Sequence, residues 1–464
     1  MPRFTLVIPT TDRPSLLPAA VRAALASTFD DIEVIVSDNF SRLPATHVLG
    51  ELRDARVRCI RTDRRLAVSD HWEFIWKHVT GEYVMFLGDD NALHPDILAL
   101  ADLAIRKYGL EVVSWRAVTY FHPDWDIVYP PLPDRGNILG VDPGTTRRLY
   151  RCDPHSVLEN FGQQLRLSGC FPCMLNFLFP RERAEAIRVR MGRFFWAPNP
   201  DISCTVLILG TIAKEGYGFF DGFGAIGGRS RDSNIASLLS RGKRSRRVYD
   251  YIAEFGGQDP FPYHQPKFVA ITNSLAAALS QAIAFMPELF GRYAFDQRTL
   301  AMRTIDDIYV SRTVPWGDDP KFLDEVERFI RSLPEQDAAE CLVYRERCAD
   351  ALRRKEGEAA ASPQGRNAES AVRELIRRAR GAAYDFARSL WGEKYWEAGG
   401  TTYIDLSSFG AKDIAGASAR LPEVLRQFDR NGDAFVNHYR SAAFLGEVLD
   451  LPPDRDGAVA RLTT

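Results

Sequence analysis

Gly81-Glu-Tyr-Val-Met-Phe-Leu-Gly-Asp-Asp-Asn91 decides how the chain is read, because an apolar run, aromatic and β-branched in part, passes directly into two adjacent carboxylates. Tyr83 to Leu87 predicts a strand covered on both faces. Gly88 permits a tight exit, so Asp89 and Asp90 emerge at the strand's carboxyl end, where open α/β sheets hold their ligands. Two acids there repel each other and raise a pKa unless they share a cation. Mg²⁺ or Mn²⁺, bound by one or two carboxylates together with substrate phosphate oxygens, meets that demand. The bland alternative is an ordinary turn in which Asn91 or Asp90 caps a helix whose first turn holds Pro95.

Outward from this stretch, segment types alternate. Strands are expected at Phe4–Pro9, Ile32–Ser37, Val57–Arg61, Tyr83–Leu87 and Glu111–Thr119. Helices are expected at Ser15–Ser27, Ala45–Arg53, Ser69–Val79 and His94–Tyr108. That order implies βαβ crossovers and a mostly parallel, Rossmann-like α/β sheet. Residues 121–144 are rich in Pro, Gly and Asp and read as a long loop or lid. A strand at Asn176–Pro180, helices at Arg183–Met191 and Pro200–Thr211, and a returning strand at Phe219–Ile226 complete a domain over residues 1–240. Helical spacing then dominates residues 245–355, through 268–290, 298–310, 321–333 and 337–355. Residues 356–370 read as a flexible linker, and residues 371–464 as a mainly helical C-terminal region, with Tyr403–Leu421 a short strand or turn leading into a helix.

Composition bounds the function. With 464 residues the chain exceeds one ordinary core, and 45% hydrophobic with 26% charged residues describes a folded protein. A net charge of −2 argues against a general nucleic-acid binder. Seven scattered cysteines and an opening strand point to a reducing cytoplasm, with the inner face of the membrane left open. Cys170-Phe-Pro-Cys173 has redox spacing, but structural thiols are the simpler reading. No apolar run reaches the roughly 20 residues that span a bilayer, so any membrane contact is peripheral. The basic run Arg241–Arg247 and the arginine-flanked apolar stripe at 371–391 are candidates for such contact. A solvated linker and a packed helix, the latter a route to homo-oligomers, are the preferred readings.

Three strand ends converge on one crevice: Val7-Ile-Pro-Thr-Thr-Asp-Arg13, Ile35-Val-Ser-Asp-Asn-Phe-Ser41 and Gly88-Asp-Asp-Asn91. No G-x-G-x-x-G follows the first strand, so the dinucleotide fingerprint is missing. Asp38 can accept from a nucleobase or ribose hydroxyl, with Thr10 and Thr11 as small hydrogen-bonding neighbours. Arg229, Ser230 and Arg231 lie in a Gly-rich basic loop suited to a diphosphate or an acidic acceptor, or to a plain connection between domains. Trp72 and Trp76, one turn apart, are expected in the core.

Phe4–Pro14, Asp31–Ser41 and Gly81–Asn91 together resemble the family-2 inverting glycosyltransferases of GT-A fold, over roughly residues 4–235. The resemblance implies a nucleotide-diphosphate sugar donor, read as UDP, with a saccharide or glycoconjugate acceptor. It implies that Pro9, Thr10, Thr11 and Asp38 face the base, that Arg65 (with Arg64 its rival) contacts base or phosphate, and that Asp90, supported by Asp89, is the metal ligand. Two departures stand out: Asn39 occupies a position where Asp is common, and Gly88 one where the metal motif often begins with Asp. In Trp196-Ala-Pro-Asn-Pro-Asp-Ile202, Asp201 resembles the catalytic base. Its place at a helix start is expected to lower its pKa. Asp221 and Glu215 are rivals. Other readings are a sugar-nucleotide nucleotidyltransferase, which should show a Gly- and Arg-rich loop after the first strand, a polymerase palm, and a non-catalytic nucleotide-sugar-binding protein.

Overall fold

The computed structural model describes residues 1–50, 52–125, 137–141, 144–173, 176–231, 259–264, 266–311, 319–361, 395–398, 401–428, 444–452 and 457–463, together with 253, 255, 314 and 317. The first half alternates as expected: β1 (Phe4–Thr10), α1 (Leu17–Leu25), β2 (Ile32–Asp38), α2 (Ala45–Val48), β3 (Val57–Arg61), α3 (Val68–Trp76), β4 (Tyr83–Phe86), β5 (Ala92–Leu93), α4 (Ile97–Tyr108) and β6 (Val112–Phe121). Strands β3, β2, β1 and β4 are neighbours in that order and run parallel, in a register that sets Thr10 beside Asp38 and Asp38 beside Arg61. Alternate residues of each strand face opposite ways. Val7, Ile35, Val84 and Phe86 enter one core, while Leu6, Ile8, Val34 and Val36 enter another against α1 and α4. Burial on both faces explains why these strands read as continuous apolar runs.

Next come β7 (Ile138–Val141), β8 (Leu149–Cys152), α5 (Pro154–Gln164), β9 (Phe177–Pro180), α6 (Arg181–Met191), α7 (Pro200–Thr211) and β10 (Tyr217–Arg229). β9 is wedged antiparallel between β4 and β6, and β10 runs parallel to β6. Ala225 and Ile226 of β10 pair with Leu93 and Ala92 of β5, which ties the far end of the domain to the strand just past Asp90.

The helical part comprises α8 (Ile271–Phe285), α9 (Pro287–Phe290), α10 (Gln297–Ile305), α11 (Pro320–Arg331) and α12 (Glu335–Ala361). It shares a core with the sheet through Leu275, Leu279 and Phe290, and builds a second core from Phe268, Ile305, Phe322 and Ile330. Among the described residues no helix is long and apolar enough to cross a membrane.

Among the described residues the C-terminal part is mainly helical, as expected, and it also adds strands to the sheet. β11 (Tyr395–Ala398) and β12 (Thr401–Asp405) form an antiparallel hairpin, and β12 extends the main sheet by pairing with β7, Tyr403 opposite Gly140. β13 (Leu445–Leu449) pairs with β8. α13 (Ile414–Phe428), which the sequence does predict, buries Ile414, Ala417, Leu421 and Val424 against Ala19, Ala23 and Phe223. α14 (Ala458–Thr463) sets Arg461 on Asp96 with two hydrogen bonds, at 2.8 and 2.6 Å. The sheet therefore does not close at residue 240. Helix α12 also runs into the expected linker as far as Ala361. The expected stripe at 371–391 and the basic run at 241–247 lie outside the described residues.

Candidate active site

The carboxyl ends of β1 and β4 meet in a hydrogen-bonded cluster. Thr10 Oγ1 donates to Asp89 Oδ2 at 2.6 Å, and Arg13 Nη1 donates to Asp89 Oδ1 at 2.8 Å and to Asp90 Oδ2 at 3.4 Å. Asp89 and Asp90 are both buried. Burial raises the pKa of Asp90; the Arg13 charge opposes that rise and neighbouring Asp89 adds to it. Within the cluster two buried carboxylates share the Arg13 guanidinium.

Residues from β6 and β10 complete this wall. Asn91 Oδ1 accepts the Gly228 N–H at 2.8 Å, and His122 Nε2 lies 3.2 Å from the Asp90 carbonyl oxygen. His122 N–H also donates to the Arg229 carbonyl at 2.9 Å. Burial lowers the Arg229 guanidinium pKa, and the Asp90 charge opposes that drop. Ser230 is fully buried, and among the described residues its hydroxyl has no partner. Arg231 is exposed, with its backbone N–H 3.3 Å from Asp124 Oδ1. Of the basic loop, therefore, Arg229 is the side chain placed beside the acidic pair.

Among the described residues no group of three His, Cys, Asp or Glu can hold a metal ion. Asp89 and Asp90 converging on one cationic nitrogen fit an ion that takes one or two carboxylates from protein and its other ligands from phosphate and water.

On the nucleoside side, the structure puts Asp38 next to Thr10, as the strand order requires. Its oxygens are engaged locally: Oδ1 accepts Ser41 N–H at 2.7 Å, while Oδ2 accepts Ala45 N–H at 3.0 Å and an Arg61 N–H. Burial pushes the Asp38 pKa up, but these donors and the Arg61 charge outweigh it and hold the carboxyl below its usual range. Asn39 fixes the next loop by accepting Leu66 N–H and donating to Leu66 C=O, each at 2.9 Å. Pro9 and Thr11 are partly exposed beside buried Thr10. Arg65 is exposed and lies 3.5 Å from Asp12; Arg64 is exposed too. Arg61 covers the ring of Phe40 at 5.1 Å, and Phe40, at φ 57°, is 48% exposed at the mouth of this loop.

On the acceptor side, Asp201 sits in the first turn of α7 and its Oδ1 accepts the Ile202 N–H at 2.9 Å. The helix start was expected to lower its pKa. Instead burial raises it, with the Ile202 N–H only partly offsetting the effect. Burial and the Asp201 charge push the Cys173 thiol up to about 12. The segment before α7 is fixed from two sides. Phe194 and Phe195 N–H donate to Glu73 Oε1 at 2.5 and 2.8 Å, and Gln281 Nε2 donates to the Ala197 carbonyl at 2.6 Å. Trp72 stacks on Phe86 at 4.5 Å, so the tryptophan pair is core packing, as expected. Asp221 is committed to Arg116 at 2.5 Å and to Thr146 at 2.8 Å, whereas Glu215 lies on an exposed turn. All seven cysteines are free thiols.

Arg13, Arg61 and His122 have no place in the sequence-based site, and Gly228 enters it only as part of the Gly-rich loop. Arg13 stands within the first strand-end motif, beside the expected Pro9, Thr10 and Thr11; the places of the other three follow from pairings distant in sequence.

No curated protein matches the chain. Among solved structures, S. aureus TarS 1–349 in complex with UDP-GlcNAc is similar at 10% identity, covering 77% of this chain and 92% of that one, with a TM-score of 0.49. Mannosyltransferase PcManGT from Pyrobaculum calidifontis, in complex with GDP-Man and Mn2+, is similar at 15% identity over 85% and 88%, with a TM-score of 0.36. Residues 5–155 match the model of Glycosyl transferase family 2, and this stretch, which holds every strand end of the acidic crevice, is a family 2 glycosyltransferase domain.

Proposed function

We propose that the protein moves a sugar, with inversion, from a nucleotide-diphosphate donor, UDP being the nucleotide read first, to a hydroxyl of a saccharide or glycoconjugate, with Mn²⁺ or Mg²⁺. The observation that carries this is the Thr10–Asp89–Arg13–Asp90 cluster at the ends of two parallel strands. Asp90, with Asp89 beside it, would hold the metal, which when bound neutralises charge on the leaving diphosphate. Arg13 fixes both carboxylates from one side. Arg229, partly buried beside Asp90, presents a guanidinium suited to phosphate oxygens. The loops that Asp38 and Asn39 organise form the floor on which a base would lie, and Pro9, Thr11 and Arg65 border it.

Asp201 would take the proton of the acceptor hydroxyl onto a carboxylate oxygen as that hydroxyl attacks the anomeric carbon opposite the leaving group. A base is more effective as its pKa approaches the working pH, so the rise that burial imposes on Asp201 suits the task. Glu73, Trp72 and Gln281 act only by fixing the segment that carries it.

A screen of UDP-, GDP- and dTDP-sugars, each with Mn²⁺ or Mg²⁺, for raised melting temperature tests this reading. A metal-dependent rise with one nucleotide is expected; no response to any of them would overturn it.

A further inference from the structure

Three loops leave the carboxyl ends of β1, β2 and β3, and one residue ties them together. Asp12, two residues past Thr10, has left-handed backbone at φ 53°, a conformation that Asp and Asn adopt more readily than most side chains. Its N–H donates to Ser41 Oγ at 2.9 Å, and its Oδ1 accepts the Arg42 N–H at 2.8 Å. Its Oδ2 faces Arg65 Nη1 at 3.5 Å. The β1 loop is thus latched to the β2 loop by two hydrogen bonds and to the β3 loop by an ion pair.

The two latches fix different things. The backbone of the β3 loop is held without Asp12: Asn39 donates to the Leu66 carbonyl and accepts the Leu66 N–H, and the Thr62 N–H donates to the Asp38 carbonyl at 3.1 Å. What Asp12 adds there is a hold on the Arg65 side chain. That side chain is 47% exposed and the Asp12 side chain 29%, so the pair stands largely in water and contributes little to stability. Its consequence is order. A long side chain that a ligand must immobilise weakens binding by roughly 2- to 12-fold compared with one already held in place. A guanidinium with a set direction also meets planar oxygen acceptors better than a free one.

We infer that Asp12 is a positioning residue for nucleotide binding, which holds the Arg65 guanidinium at the mouth of the crevice so that an oxygen acceptor of the nucleotide meets a cation already ordered. The inference rests on the donor reading above, in which Arg65 borders the base.

The test titrates the full chain, with Mn²⁺, against UDP, GDP and dTDP by calorimetry. Asp12→Asn tolerates the left-handed backbone and keeps an oxygen for the Arg42 N–H, but loses the charge that faces Arg65. Without nucleotide it should melt with the wild type, and it should bind the preferred nucleotide roughly 2- to 12-fold more weakly. Arg65→Gln should bind at least as weakly, and adding Asp12→Asn to it should change nothing further, because the two residues act through one contact. In donor turnover the loss should appear in KM with kcat kept. If Asp12→Asn does not fold, Asp12→Gly, which takes this backbone freely, replaces it and should show the same loss. Where the wild type binds, an Asp12 variant that binds as tightly or more tightly, a second loss of equal size in the Arg65→Gln background, or a loss in kcat alone would overturn the inference and leave the donor reading standing. A wild type that binds none of the three nucleotides would remove both.

Discussion

The backbone of Gly228 lies so close to Asp90 that a Cβ built on the glycine would sit 1.7 Å from the Asp90 carbonyl oxygen and 2.8 Å from His122 Nε2. Neither a carbonyl nor a packed ring can yield that much. Gly228→Ala should therefore push β10 away from the acidic motif, break the Gly228–Asn91 hydrogen bond and displace Arg229. We expect a stability loss of about 1–3 kcal/mol, read by chemical denaturation, with weakened nucleotide binding. A variant as stable and as tightly binding as wild type would show that β10 does not brace the motif.

Asp201 gives a trade between stability and activity. Its folded pKa is raised, so the carboxyl opposes folding once it ionises: that stability is full below the unfolded value and is lost as pH rises through the folded one. Asp201→Asn, neutral throughout, should melt higher than wild type at neutral pH and still bind nucleotide, yet lose about 100-fold or more in transfer. Wild-type transfer should rise with pH through the raised pKa and then level off. Normal transfer by the Asn variant would mean that the base lies elsewhere.

Asp38 behaves in the opposite sense. Its folded pKa is depressed, so it contributes stability that is complete above the unfolded carboxylate value, near 4, and is lost as pH falls through the lower folded value. Asp38→Asn should cost about 2 kcal/mol at neutral pH, from hydrogen bonds to a charged group. Its denaturation midpoint should converge with that of wild type in strong acid. A constant difference across the whole pH range would contradict this account.

Arg13 is the counter-charge shared by Asp89 and Asp90. Arg13→Gln leaves two buried carboxylates facing each other, so the variant should melt lower than wild type and gain more from Mn²⁺ than wild type does. Equal gains would mean that the carboxylate pair is not where the ion binds.

The parallel half of the fold was legible because its strands are buried on both faces and their ends carry polar residues. Thr10, Asp89 and Asp90 meet as that pattern requires. What escaped depends on distant pairing. No local rule brings β10 onto β5 or His122 beneath Asp90. Gly399-Gly400, between Ala398 and Thr401, is a hairpin signal of two residues, but it is set among segments of helical spacing. The expected Asp201 pKa had the wrong sign because a helix start is visible in sequence and the depth of burial is not.

Release of nucleoside diphosphate from the nucleotide-sugar that stabilises the protein, measured with Mn²⁺ for wild type and Asp90→Asn side by side, tests the central claim most directly. Metal-dependent release by wild type, falling at least about 100-fold in Asp90→Asn, is the predicted result. Equal release by the two proteins, or release unaffected by removing the metal, would contradict the assignment of this crevice as a metal-assisted donor site.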